Sequence, residues 1–296
     1  MTNATKKAKQ TAASGKQKLN DLIRACAKGD RSFVKGMLRQ GIDPNILNEG
    51  SGSRPLTAAV RGGHTEIVKL LLDSGADPNL RDTWKSMPPN GTALENAAGN
   101  GHLDIAKLLV ERGADINMEG YWRPLKTAAA SNRPEIVQFL INSGAKVEPN
   151  DLVQATFAGS DGVVKLLIAT GTDVDHQNKK GHSALYFAAG SKNPHLAEML
   201  IAAGANVNIQ TSDFWETMET PLHKAAAVGR TEIVQMLLAA GANAALTDKF
   251  DKTPEQHAKR MGHKEIAKIL RDWQSAKRSS SVRLRRHRAG PTAPTN

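Results

Sequence analysis

Thr220-Pro221-Leu222-His223-Lys224-Ala225-Ala226-Ala227-Val228-Gly229-Arg230-Thr231-Glu232-Ile233-Val234-Gln235-Met236-Leu237-Leu238-Ala239-Ala240-Gly241-Ala242-Asn243 is the stretch from which the rest of this chain can be read. Thr is a good N-cap and Pro suits the first helical turn, so Thr220-Pro221 starts a helix. Ala225 and Ala226 keep that helix thin, which lets a neighbour approach closely. Gly229 breaks it. Glu232 falls in the first turn of a second helix, where the helix dipole favours an anion. Ile233, Val234, Met236, Leu237 and Leu238 supply its apolar stripe, and Gly241 closes it in a left-handed cap. Ala242-Asn243 then leads out into a hairpin-like finger.

Working outward, the same unit recurs in both directions. Gly-Ala-Asp or Gly-Ala-Asn closes an apolar run at Gly75, Gly113, Gly204 and Gly241, with weaker copies at Gly41, Gly144 and Gly171. Their spacing averages about 33 residues. Degraded copies of the Thr-Pro-Leu-His opening begin at Arg54, Thr92, Arg123, Ser183 and Thr253, and the junction at Gly229 returns at Gly63, Gly101 and Gly262. One such helix pair cannot bury its own apolar face, so stacking must do so.

The two signatures in register resemble the ankyrin-repeat family from about Leu19 to Trp273. The resemblance implies an all-α solenoid of about eight helix-turn-helix units with finger loops, the first (about 19–48) and last (about 250–273) being degenerate caps. It also implies a non-catalytic scaffold or adaptor, a monomer binding another protein across its finger loops and inner helices. No small-molecule substrate, cofactor or metal is expected. Eight units leave no room in 19–273 for a separate catalytic domain.

Charge divides the chain differently. The net charge is +11, yet residues 1–18 carry five lysines and no acid, and residues 274–296 carry Lys277, Arg278, Arg283, Arg285, Arg286 and Arg288 and no acid. The body between is balanced, so this is a neutral array with two basic tails. Both tails are expected to be disordered. The C-terminal six are candidates for contact with nucleic acid or an acidic membrane, with a solvated, solubilising tail as the other reading. The lone cysteine, Cys26, excludes an intrachain disulfide and reads as a small packed residue in a reducing, cytoplasmic setting; a nucleus is the alternative address for the basic tail in a eukaryotic cell or host. No secretory signal or membrane span is expected.

Catalytic motifs are missing from the sequence. There is no H-E-x-x-H, Walker A or G-x-G-x-x-G. His64, His102 and His263 share one repeat position, and in the family these histidines and His223 make structural hydrogen bonds. His176, His182, His195, His257 and His287 are scattered singly. Asp173-Val174-Asp175 lacks the rest of a calcium loop.

The aromatics carry more information, because there are only 12. Phe33, Phe139, Phe157, Tyr186, Phe187 and Trp273 fall on expected helices. Trp84, Tyr121, Trp122, Phe214, Trp215 and Phe250 fall in expected fingers. Two readings stand: anchors for a partner, or local cores of the long fingers. The inner helices are expected to expose mostly small residues, such as Gly99-Asn100 and Gly190-Ser191, between these aromatic lips. The fifth unit, around Leu152–Val163, is short and lacks Thr-Pro, which fits ordinary drift or a locally weak point.

Overall fold

In the computed structural model, residues 17–83, 91–120, 123–212 and 217–288 are described, the last eleven as helix backbone only. Helix α1 covers 17–28 and is followed by α2 (Arg31–Arg39), α3 (Pro55–Arg61), α4 (Thr65–Asp73), α5 (Ala93–Asn100), α6 (Leu103–Glu111), α7 (Pro124–Ala130) and α8 (Pro134–Asn142). Then come α9 (Pro149–Phe157), α10 (Asp161–Ala169), α11 (Ala184–Gly190), α12 (Pro194–Ala202), α13 (Pro221–Ala227), α14 (Thr231–Ala239), α15 (Pro254–Arg260) and α16 (Lys264–Arg288). They form eight successive helix pairs. No strand occurs among the described residues beyond a single bridge between Gln177 and Ser183.

The local rules hold at the guiding stretch. Thr220 Oγ1 accepts from the His223 N–H at 3.3 Å, and His223 Nδ1 accepts from the Thr220 N–H at 3.1 Å. His223 Nε2 is left to donate to the Lys252 carbonyl at 3.0 Å, tying the cap to the next finger. This histidine is buried; desolvation, with His257 beside it, holds its pKa below the ordinary value, which suits a neutral ring that must accept at Nδ1. Gly229 and Gly241 both take left-handed φ, 75° and 94°. In the fourth pair Asn132 takes that junction conformation instead (φ 52°), as Asn tolerates.

The chain divides into two compact units, Met1–Val147 and Glu148–Asn296. Inside the first, inner helices α3, α5 and α7 stack in sequence, and outer helices α2, α4, α6 and α8 stack behind them. Inside the second, the inner row is α9, α11, α13 and α15, and the outer row α10, α12, α14 and α16. Alanines make the inner contacts: Ala59, Ala97, Ala98, Ala128, Ala129, Ala188, Ala189, Ala225 and Ala226 are fully buried. Buried aliphatic residues from the outer helices complete the core, as with Ile67, Val68 and Leu71 of α4 and Val163, Val164 and Leu167 of α10. Each such aliphatic side chain contributes roughly 1.5–3 kcal/mol on burial. Cys26 sits in the alanine slot of α1 with no exposure, and burial pushes its thiol up to about 12.

Two features depart from the expectations. Helix α16 does not stop at Trp273 but runs to Arg288, so residues 274–288 are helical. No Gly or Pro interrupts that segment before Gly290-Pro291, and Arg and Ala are good helix formers. The inner helices are also not uniformly small: Phe157, at the end of α9, is 69% exposed.

Candidate protein-docking face

The fingers are held by a ladder of Asn side chains. Asn45 donates from Nδ2 to the Gly75 carbonyl and accepts at Oδ1 from the Asp77 N–H, at 2.9 and 2.7 Å. Asn79 does the same to Gly113 and Asp115, and Asn117 to Gly144 and Lys146. In the second unit Asp175 accepts from the Asn206 N–H and Asn208 from the Asn243 N–H, each at 2.7 Å. Each rung sits two residues beyond the Asp or Asn of the Gly-Ala-Asp signature. Glu148 stands at the corresponding place in the fourth pair and is instead the N-cap residue of α9: its carbonyl accepts from the Asp151 N–H at 2.8 Å, and Asp151 Oδ2 accepts from its own N–H at 2.9 Å. A second set of stitches joins the junctions: His64 Nε2 lies 3.0 Å from the Ala27 carbonyl and His263 Nε2 3.2 Å from the Ala227 carbonyl. Arg133 and Arg230 donate to Gly99 and Gly190 from the same position. The histidine roles implied by the resemblance are therefore structural at His64, His223 and His263.

In the first unit, the finger after the second pair anchors on buried acids. Asp82, with no exposure, accepts from the Thr57 hydroxyl at 2.7 Å and the Arg54 N–H at 3.0 Å and pairs with Arg61. Glu95, also buried, pairs with Arg81 at 3.0 Å and accepts from the Thr92 N–H at 2.9 Å. Burial raises both carboxyls above their ordinary values, and the arginines and hydrogen bonds offset only part of that. These groups bind the finger to the array; they do not face a ligand.

The second unit carries an aromatic run across its inner side. The Phe157 and Phe187 rings meet edge to face with centroids 5.1 Å apart. His182 stacks on Tyr186 at 4.7 Å and meets Phe187 edge-on at 5.1 Å. Lys224 Nζ lies 5.4 Å above the Tyr186 ring, and the Tyr186 hydroxyl donates to Glu219 at 2.8 Å. Glu219 in turn lies 3.8 Å from His257 Nδ1, and His257 Nε2 donates to Asp248 at 2.7 Å. Two residues on, Phe250 projects at 61% exposure from its finger. His182 and His257, read singly from the sequence, thus belong to one chain of contacts running from α9 to the last finger.

Of the expected finger aromatics, Phe250 is exposed, while Trp84, Tyr121, Trp122, Phe214 and Trp215 lie outside the described residues. Lys277 Nζ sits 5.6 Å over the Trp273 ring. Arg278, Arg283, Arg285, Arg286 and Arg288 lie on the continued helix α16, whose side chains there are not described. Sequence reasoning placed Phe157, Tyr186 and Phe187 on helices and so missed the patch. The available signal was two aromatic positions on consecutive inner helices, where the other repeats carry small or polar residues. Among the described residues no group of three or more His, Cys, Asp or Glu is placed to hold a metal ion, and no helix is long and apolar enough to cross a membrane.

A family model described as ankyrin repeats (3 copies) matches residues 22–120, 89–151, 152–248 and 211–280. The chain belongs to the ankyrin-repeat family. The crystal structure of the human ASB11 ankyrin repeat domain superimposes with a TM-score of 0.65 at 25% identity, covering 75% of this chain and 98% of that one. Among curated proteins, the ankyrin repeat and KH domain-containing protein mask-1 of Caenorhabditis elegans is 29% identical over 206 residues, 67% of this chain and 8% of that protein. The palmitoyltransferase homologue ZDHHC13 of Danio rerio is 30% identical over 176 residues, 57% of this chain and 27% of that protein. The ankyrin-repeat chain thus spans a small fraction of these relatives' length. Ankyrin repeats generally mediate protein–protein interaction.

Proposed function

We propose that this ankyrin-repeat chain is a non-catalytic adaptor that docks a partner protein on the side formed by its fingers and inner helices. The observation carrying this reading is the aromatic run from Phe157 to Phe250. Exposed rings are costly to leave in water, and aromatic side chains are typical interface anchors. The outer helices of the second unit, by contrast, turn their apolar stripes inward and present polar residues to solvent. Site-specific photo-cross-linking tests the reading. A cross-linking residue at position 187 or 250 should capture a partner, while one on an outer helix, at Lys107 or Gln235, should not. Capture from the outer helices alone would overturn it.

A second reading gives the basic C-terminal segment a role of its own, because helix α16 carries it on as a continuous helix to Arg288. Lys277, Arg278, Arg283, Arg285, Arg286 and Arg288 would then contact a nucleic acid or an acidic membrane. If all six neutralise phosphates on duplex DNA, log affinity should fall with log salt at a slope of about −5. Deletion of 274–296 should abolish that slope.

A further inference from the structure

The docking face of the second unit has a chemistry of its own. We infer that it takes an acidic segment of the partner bearing one apolar or aromatic side chain; this deepens the adaptor reading and rests on it.

The apolar half of the argument is the Phe157–Phe187 pair. Phe157 is 69% exposed although its ring is fixed against Phe187, so it offers a rigid edge at little entropic cost. The charged half is an imbalance. Among the described residues, the acids of this chain of contacts are already engaged: Glu219 by the Tyr186 hydroxyl, Asp248 by His257 and the Lys252 N–H, and Glu255 by Lys259 and Arg271 at 2.8 and 3.1 Å. The cations are not matched in the same way. Lys179 and Lys180 are exposed at the finger turn that leads into His182. Lys224 stands over Tyr186. Lys252 and Arg260, with Gln256 and His257, line a shallow pocket near the last finger. Asp251 is the exposed acid beside them. Among these described residues, five cations thus stand with the exposed acid Asp251 around a fixed aromatic edge. An acidic segment would gain steering from this field and an anchor at the rings.

The arrangement favours a peptide over a single-stranded nucleic acid, which also uses cations and aromatics. Bases need open ring faces for stacking. Here Tyr186 is 7% exposed, with His182 stacked on it and Lys224 above it, and Phe187 is flanked by Phe157, His182 and Tyr186.

The test is selection of random twelve-residue peptides displayed on phage against the full chain, followed by affinity measurements on synthetic copies of the enriched peptides. Enriched peptides should be net negative with an aromatic or large aliphatic residue, and their affinity should weaken as salt rises. Phe157→Ser should reduce affinity at least tenfold, and the double variant Lys179→Glu, Lys180→Glu at least fivefold, with melting temperatures unchanged because all three side chains are exposed. Neutral or basic peptides that still require Phe157 would overturn the acidic specificity and leave the docking face standing. Peptides indifferent to both variants, no enrichment at all, or tighter binding of poly-U RNA lost in Phe157→Ser would overturn the inference. Cross-links confined to the outer helices would overturn the adaptor reading separately.

Discussion

His257 donates through Nε2 to Asp248 Oδ2 at 2.7 Å, and both side chains are buried. The bond joins the last finger to the last inner helix. Burial pushes the Asp248 carboxyl up, but the Lys252 and Phe250 N–H groups and His257 outweigh it and hold the pKa below the ordinary value of 3.8. A depressed carboxyl contributes stability that is present above the unfolded pKa and is lost as pH falls through the folded one. Thermal melts of the wild type should therefore lose stability as pH falls below about 4. Asp248→Asn should start lower at pH 7, by about 1–3 kcal/mol, and lose less over that range. Parallel curves would contradict the assignment.

The Arg61–Asp82 pair predicts an effect of opposite sign with pH. Asp82 is buried and its pKa is raised by burial, so its charge is costly in the folded state. Arg61→Ala leaves that charge without its ion-pair partner and should cost about 3 kcal/mol at pH 7 in denaturant titrations. The cost should shrink as pH falls through the raised folded value and Asp82 becomes neutral. A loss that is unchanged at pH 4 would show that Arg61 acts through packing alone.

Asn79 makes two ladder bonds, one to Gly113 and one from Asp115. Asn79→Ala should destabilise the array by about 1–2 kcal/mol. Amide exchange should accelerate at Asp115, whose N–H loses its acceptor, before it does in α7 or α8. Exchange that rises equally everywhere would argue for global unfolding without a local role for the rung.

Ser160 stands at the junction position of the fifth pair with no exposure, makes no side-chain cap bond to α10, and its Oγ has no hydrogen-bond partner. A buried hydroxyl without a partner is itself a cost. Ser160→Ala should be neutral or slightly stabilising, whereas Thr220→Ala, which removes a made cap, should cost about 1 kcal/mol. Equal losses at the two sites, measured by denaturant titration, would contradict this. The same residue gives the weak-point reading of the fifth unit a physical basis, since its stitch position carries no stitch.

Much of the repeat was legible because its signals are local. Thr220-Pro221, Gly229 and Gly241 each act through backbone geometry within a few residues, and the structure has them as cap, junction and left-handed turn. What was missed depends on partners about 30 residues away. Asn45, Asn79 and Asn117 look like ordinary turn residues until the next repeat is laid beside them. Phe157 and Phe187 lie on helices, and position along a helix does not reveal which face stays open. The continuation of α16 was missed because the charge of its Arg-Ser run was weighed above its lack of helix breakers.

The most direct measurement of the central claim reads affinity and melting together for three variants: Phe157→Ala, Phe250→Ala and Trp273→Ala. The partner is the protein captured by cross-linking from position 187. Phe157 and Phe250 are 69% and 61% exposed, so their removal should leave the melting temperature within a degree or two while weakening binding by at least tenfold. Trp273 is half-buried with its Nε1 enclosed, so its replacement should lower the melting temperature and leave the affinity of the folded fraction intact. If the two phenylalanine variants melt earlier and bind normally, the exposed rings serve the fold, and the aromatic face is not where the partner docks.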